Sequence, residues 1–210
     1  MGTESSGRGR AEGAALVDTQ SAVFEYDDAR IWLTENGASL DQPLAVEVWV
    51  FDPDLQQVVL VDHRWRGWVP PGGKVEPDET PREGASRELL EETGLRVELS
   101  GRPAAAAIRS YHPEWPSTLG LSYAAIADPS ERIRGEVGQA VCWMPLSEAW
   151  VSVFPDDICR MRAYARWFIG VARRSLASPD SRTPDIGGVE ALWGKGGSTT
   201  SVLGAAIIDT

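Results

Sequence analysis

The sequence predicts an α/β fold in which a mixed β-sheet is sandwiched between helices. Two observations carry that reading: β-rich apolar runs on both sides of a well-capped acidic helix, and a long amphipathic segment after the last run. Ala45 to Phe51 and Val58 to Asp62 are rich in Val, Leu and aromatic residues and flank the turn signal Asp52-Pro53-Asp54, so they read as a hairpin. Pro81 to Thr93 is the clearest helix. Thr80 and Glu83 have the spacing of a capping box, Pro81 takes the first helical position, and Gly94 stands where a left-handed C-cap belongs. Arg96 to Leu99, Leu119 to Ala127 and Val141 to Met144 read as strands, and Asp156 to Ala172 as the amphipathic helix that closes the domain.

A chain of 210 residues suits one domain. Residues 1–20 and 173–210 are dominated by Gly, Ser, Thr and Asp with weak periodicity, so they read as tails around a domain at 21–172. Ser201 to Ile208 is apolar enough to dock as a strand, with a frayed terminus as the alternative. No apolar run approaches the roughly 20 residues a bilayer requires, and the polar start lacks a signal-peptide core, so the expected location is the cytoplasm, away from membranes. Cys142 and Cys159 form no CxxC pair and the two histidines have no zinc spacing, which points to reduced structural cysteines. A net charge of −11 argues against a nucleic-acid polymer as partner. A phosphorylated substrate would need cations to mediate.

The acidic helix breaks local rules. At 100° per residue, Ala85, Leu89 and Leu90 share one side while Arg87, Glu88, Glu91 and Glu92 share the other. Glu88 repels Glu91 at i,i+3 and Glu92 at i,i+4, and the last two lie at the helix end where the macrodipole disfavours anions. A divalent cation with hard oxygen ligands is the simplest compensation, and a solvated acidic face is the alternative. Gly84, on the same arc, would leave room for a substrate phosphate, or is simply a tolerated helix glycine.

The loop Trp68-Val69-Pro70-Pro71-Gly72-Gly73-Lys74 precedes this helix and supplies close backbone approach and free carbonyls. From Gly73 the pattern continues with five residues, Glu79, seven residues, and then Arg87-Glu88-Leu89-Leu90-Glu91-Glu92-Thr93-Gly94-Leu95. That run resembles the complete Nudix box, matching every defined position. The resemblance implies a Nudix-like α/β/α sandwich and magnesium-dependent hydrolysis of a phosphoanhydride in a nucleoside diphosphate linked to another moiety, with a nucleoside triphosphate favoured. An ADP-ribose or nucleotide-sugar pyrophosphatase, or a non-catalytic nucleotide sensor, are the alternatives.

Position by position, the resemblance implies that Glu88, Glu91 and Glu92, with the Gly72 carbonyl, hold magnesium or manganese, and that Glu79 and Arg87 form a supporting pair. Glu88 and Glu136 are the candidate general bases, Glu136 resembling the additional acidic ligand of some family members. Arg64, Arg66 and Lys74 flank the loop and are candidates for substrate phosphates. Tyr111 and Trp115 are candidates to stack on a base, with packing as their alternative, and His63 and His112 are given no catalytic role. The expected partner is a small nucleotide, with homodimerisation left open.

Overall fold

The structure, a computed structural model, describes residues 3–36, 44–111, 114 and 116–177. Its elements run α1 (Thr3–Ser21), β1 (Phe24–Glu25), α2 (Ala29–Asn36), β2 (Ala45–Phe51), β3 (Gln57–His63), β4 (Gly67–Val69), β5 (Gly72–Lys74), α3 (Pro81–Thr93), β6 (Ala105–Arg109), β7 (Thr118–Ile126), β8 (Val141–Pro145) and α4 (Asp157–Ala177). The strands make one eight-stranded mixed sheet in the order β1-β6-β7-β2-β3-β4, with β5 on β2 and β8 on β3. β2 pairs parallel with β7 and β1 with β6, whereas β2–β3 and β6–β7 are antiparallel.

Alternation along β2 divides the core. Val46, Val48 and Val50 join Ala15, Leu33, Ala85 and Leu89 beneath α1, α2 and α3. Trp49 and Phe51 point the other way and pack with Met161, Tyr164 and Phe168 of α4. The period of two in a strand therefore yields the expected helix–sheet–helix layering. The hairpin turn is held by Asp52, whose Oδ1 accepts from the Gln56 and Gln57 N–H groups at 2.7 and 2.8 Å.

α3 begins and ends as the sequence indicates. The Thr80 side chain and the Glu83 carboxylate satisfy each other's backbone N–H groups, and Gly94 adopts φ 74°, ψ 0° while its N–H bonds the Leu90 carbonyl. Three expectations are corrected. Residues 3–21, read as part of a tail, form α1, whose Ala11, Ala15 and Thr19 are buried and whose Asp18 Oδ2 accepts from the Tyr123 hydroxyl at 2.5 Å. Arg96 to Leu99 is not a strand, because the Arg82 guanidinium takes the carbonyls of Leu99 and Ser100 that a ladder would use. The closing helix runs to Ala177, past the tail boundary at 172. The segment Ser201 to Ile208 lies outside the described residues. Cys142 and Cys159 are free thiols, and among the described residues no helix is long and apolar enough to cross a membrane.

Candidate active site

The site starts with backbone geometry. Pro71 and Gly72 bring the chain against β2: the Val48 N–H bonds the Pro71 carbonyl at 2.9 Å, and β5 pairs antiparallel with β2 so that Gly72 faces Glu47. A Cβ on Gly72 would collide with the Val46 carbonyl, and one on Gly73 would lie inside the Glu88 carboxylate. Only glycine admits this approach. Two carboxylates from successive turns of α3 thus converge on adjacent glycines, since the Gly72 N–H also donates to Glu92 Oε2 at 2.8 Å.

Arg87 organises the rest. Its Nε and Nη2 grip the Glu79 carboxylate at 3.1 and 2.6 Å, and Nη2 also reaches the Lys74 carbonyl at 3.0 Å. Its Nη1 bonds Glu88 Oε1 at 2.7 Å and Glu91 Oε2 at 3.0 Å. Bonds to Glu79 and Glu88 raise the Arg87 pKa further above its ordinary value. Burial alone would raise Glu79, but the bonds from Arg87 and the Glu76 N–H outweigh it and hold the carboxyl below its usual range. The spatial partner of Gly84 is also Glu79, whose carboxylate sits 2.8 Å from where a Cβ would be. The space expected there for a phosphate is therefore filled from within the protein.

Glu88 and Glu92 are held differently. Burial raises both, against the bonds from Arg87 for Glu88 and from Gly72 and Gln139 for Glu92, and Glu92 is pushed up to about 7. Gln139 Nε2 donates to Glu92 Oε1 at 3.2 Å. Among the described residues no three His, Cys, Asp or Glu side chains converge into a ligating cluster, because Arg87 holds Glu88 and Glu91 while Glu92 faces Gly72 and Gln139. The donors are nonetheless all hard oxygens on one helical arc, which suits magnesium, and Gly73 leaves the Glu88 carboxylate its place.

A pocket opens beside the box. Its walls include Glu47, Arg66, Gly73, Lys74, Tyr111 and Phe154, and it encloses about 170 Å³. Arg66 is half-buried, its Nε has no partner among the described residues, and burial lowers its pKa against the attraction of Glu92 and Glu47. Tyr111 packs edge-on against Phe154 at 5.6 Å, and its hydroxyl occupies the space a side chain on Gly120 would need. Burial raises the Tyr111 pKa above that of an ordinary tyrosine. His63, also on the wall, is pushed down to about 4 by burial and by Arg66 and Arg64, so it is neutral at pH 7.

The structure therefore brings Glu79, Arg87, Glu88, Glu91 and Glu92 together through the Arg87 fork and the β5 glycines, with Arg66, Lys74 and Tyr111 at the adjoining pocket. Arg64 and Glu136 lie elsewhere. Arg64 is exposed and stacks on Trp65 with its guanidinium 4.1 Å from the ring centroid. Glu136 is exposed, and Gln139, not Glu136, is the residue of its loop that reaches the box, because the turn closed by the Gln139 N–H on the Glu136 carbonyl presents Gln139 toward α3. His112 and Trp115 lie outside the described residues. Sequence reasoning missed Glu47, Thr118 and Phe154 on the pocket wall. Glu47 alone left a signal, as the one charge inside the apolar run AVEVWVF.

Comparison with known proteins gives concordant results. Residues 41–168 match the model of the family described as "NUDIX domain". The chain is 47% identical over 60 residues to the "Putative 8-oxo-dGTP diphosphatase YtkD" of Bacillus subtilis, covering 27% of this chain and 38% of that protein. It is 59% identical over 32 residues to a "MutT-like protein" of Streptomyces ambofaciens, covering 15% and 21%. These matches thus span about two-fifths and one-fifth of the relatives' own lengths. Among solved structures, a NUDIX-family hydrolase from Clostridium perfringens aligns with a TM-score of 0.49 at 20% identity, over 59% of this chain and 96% of that one.

Proposed function

The chain belongs to the NUDIX domain family, and from that premise we propose that it hydrolyses a phosphoanhydride bond in a small nucleotide, with a nucleoside triphosphate as the favoured substrate and magnesium as the cofactor. One observation carries this reading: the Glu88 and Glu92 carboxylates meet the Gly72–Gly73 backbone at the edge of a pocket that contains Arg66 and Lys74. A relative named as an 8-oxo-dGTP diphosphatase supports the choice of a triphosphate.

Glu88, Glu91 and Glu92, with the Gly72 carbonyl, would hold magnesium, and manganese offers the same hard-ligand chemistry. When bound, such a cation would offset the negative charge of the phosphate and lower the pKa of water at the site. Arg87 fixes the orientation of Glu88 and Glu91 and offsets their mutual repulsion, with Glu79 as its anchor. Arg66 is suited to an anionic substrate, because it lines the pocket as a positive charge beside the box glycines. A proton-accepting role falls to Glu88, whose carboxylate lies against Gly73 at the edge of the pocket.

The test is phosphate and pyrophosphate release across nucleoside triphosphates, nucleotide sugars and ADP-ribose, with magnesium and with EDTA. Magnesium-dependent turnover that Glu92→Gln lowers by orders of magnitude is expected. Absence of metal-dependent hydrolysis across the whole panel would overturn the reading.

A further inference from the structure

Arg109, the last residue of β6, takes no part in the box, yet its side chain is only 9% exposed. A guanidinium buried to that degree needs partners. Asp157, the first residue of α4, accepts from Arg109 Nη1 through Oδ1 at 2.8 Å, and Glu47 Oε2 on β2 lies 4.0 Å from the same nitrogen. Glu47 is itself anchored by Trp49 Nε1 and the Ser122 hydroxyl at 2.9 and 2.7 Å, so Arg109 leans toward Asp157. There its guanidinium carbon comes 4.7 Å from the centroid of the Phe154 ring.

Phe154 and Tyr111 form an aromatic wall of the pocket, with their rings edge to face at 5.6 Å. Neither belongs to a strand or helix: Tyr111 follows β6, and Phe154 lies in the segment between β8 and α4. A side chain on such a segment keeps its place only if the segment is tied down. At one end the ties are to β4 and its approach, where the Trp68 N–H bonds the Val151 carbonyl and the Val153 N–H bonds the Arg66 carbonyl, both at 2.9 Å. Gly67, at φ 70°, permits this approach, since a Cβ there would lie 2.5 Å from the Val151 carbonyl oxygen. Beyond Val153 the segment is held by Arg109, through the Phe154 ring and the Asp157 carboxylate together.

The combination asks for arginine in particular. A planar guanidinium can stack on a ring while it bonds a carboxylate, whereas an ammonium, compact and strongly hydrated, is poorly shaped for both at once. Resting on the reading of the pocket as the seat of a nucleotide, we propose that Arg109 is a positioning residue for substrate binding. It pins the segment before α4 to β6, and so sets Phe154, and Tyr111 behind it, against the pocket. Arg109 does not itself line the pocket, so its effect on the substrate runs through Phe154.

The test uses the full chain with magnesium and measures kcat and KM for whichever of dGTP, dATP, UDP-glucose and ADP-ribose the wild type cleaves fastest. The variants are Arg109→Lys, Phe154→Leu and the two combined. Arg109→Lys keeps a positive charge between two carboxylates and gives up the stack. It should raise KM about threefold to tenfold, as expected for loss of a partly desolvated cation–π contact, with a change in kcat below about twofold. In the Phe154→Leu background the same substitution should raise KM less than about twofold, because the ring through which Arg109 acts is gone. General loosening of the fold would give equal effects in the two backgrounds. An unchanged KM in Arg109→Lys, a fall in kcat as large as the rise in KM, or equal effects in the two backgrounds would each overturn the assignment while leaving nucleotide hydrolysis standing. A wild type that cleaves none of the four would overturn the assignment together with the reading it rests on. If Arg109→Lys fails to fold, Asp157→Asn decides, since it keeps an acceptor and removes the charge that holds Arg109 beside Phe154 rather than toward Glu47. The same rise in KM, absent from the Phe154→Leu background, is expected of it, and an unchanged KM would overturn the assignment.

Discussion

Glu92 links the pH dependence of stability to the site. In the metal-free fold its carboxyl is held at about 7 against an ordinary 4.5, chiefly by burial. The groups facing it are the Gly72 N–H from β5, Gln139 from the loop before β8, Arg66 from the turn before β4, and Glu88 on its own helix. A carboxyl whose native pKa is raised binds its proton more tightly in the fold than in the unfolded chain. Its contribution to stability is therefore full below pH 4.5 and is lost as the pH rises through 7. From those two values, about 2.5 kcal/mol is lost between pH 5 and pH 8. Glu92→Gln keeps an acceptor for Gly72 and removes the titration. In EDTA the variant should melt roughly 5–10 °C above the wild type at pH 8, by the usual conversion for a domain of this size, with a much smaller difference at pH 5. Asp157, also raised to about 7 by burial and by Glu47, titrates in the same window in both proteins and cancels in the comparison. Calorimetric melts at the two pH values decide. An equal difference between variant and wild type at both would refute the linkage.

Three further outcomes are expected. Arg87→Met should leave Glu79, Glu88 and Glu91 without their common partner and lower kcat about 10- to 100-fold, and a double-mutant cycle with Glu79→Gln in urea should show coupling of about 0.5–3 kcal/mol. Additive effects would show that the fork is incidental. Deleting residues 1–21 should lower the melting temperature, because Ala11, Ala15 and Thr19 lose their packing and the Tyr123 hydroxyl loses Asp18. Tyr123→Phe should cost less, about 1–3 kcal/mol from the unpartnered carboxylate, and a truncated chain as stable as the full one would make α1 dispensable. Gly120→Ala should displace the Tyr111 hydroxyl and raise KM for the nucleotide with a smaller effect on kcat, measured by steady-state kinetics. An unchanged KM would place Tyr111 outside substrate contact.

What the sequence made legible was local. The capping box, the Pro81 start, the Gly94 stop and the order of the box residues all lie within 23 consecutive positions, from Gly73 to Leu95, and α3 realises them directly. Strand alternation worked where side chains are β-branched or aromatic, as in β2. It failed for β6, whose Ala105-Ala106-Ala107 carries little strand preference and is fixed by pairing with β7 and β1. α1 escaped notice because its buried stripe is alanine and threonine at spacing four, and because a single Asp18–Tyr123 bond spans 105 residues. The pocket was the least legible part. It joins β2, the turn before β4, the segment after β6 and the approach to α4, which no spacing rule connects.

The box and the pocket meet on β2, and the parity of that strand lets one sheet serve both. Val46 and Val48 lie beneath α3 and support the helix that carries the glutamates, while Glu47, between them, faces the pocket. A slip of one residue would exchange these sets, placing Glu47 against the apolar underside of α3 and removing the acceptor from the pocket. Two features hold the register. Gly72 sits so close to the Val46 carbonyl and the Glu47 backbone that no neighbouring side-chain-bearing residue could take its place, and the parallel ladder with β7 sets Glu47 opposite Ser122, which bonds its carboxylate. The same glycine also donates its N–H to Glu92. The contact that fixes β2 in register is thus continuous with the contact that orients a box carboxylate, so a change that loosened β5 would disturb the register of β2 and the setting of Glu92 together.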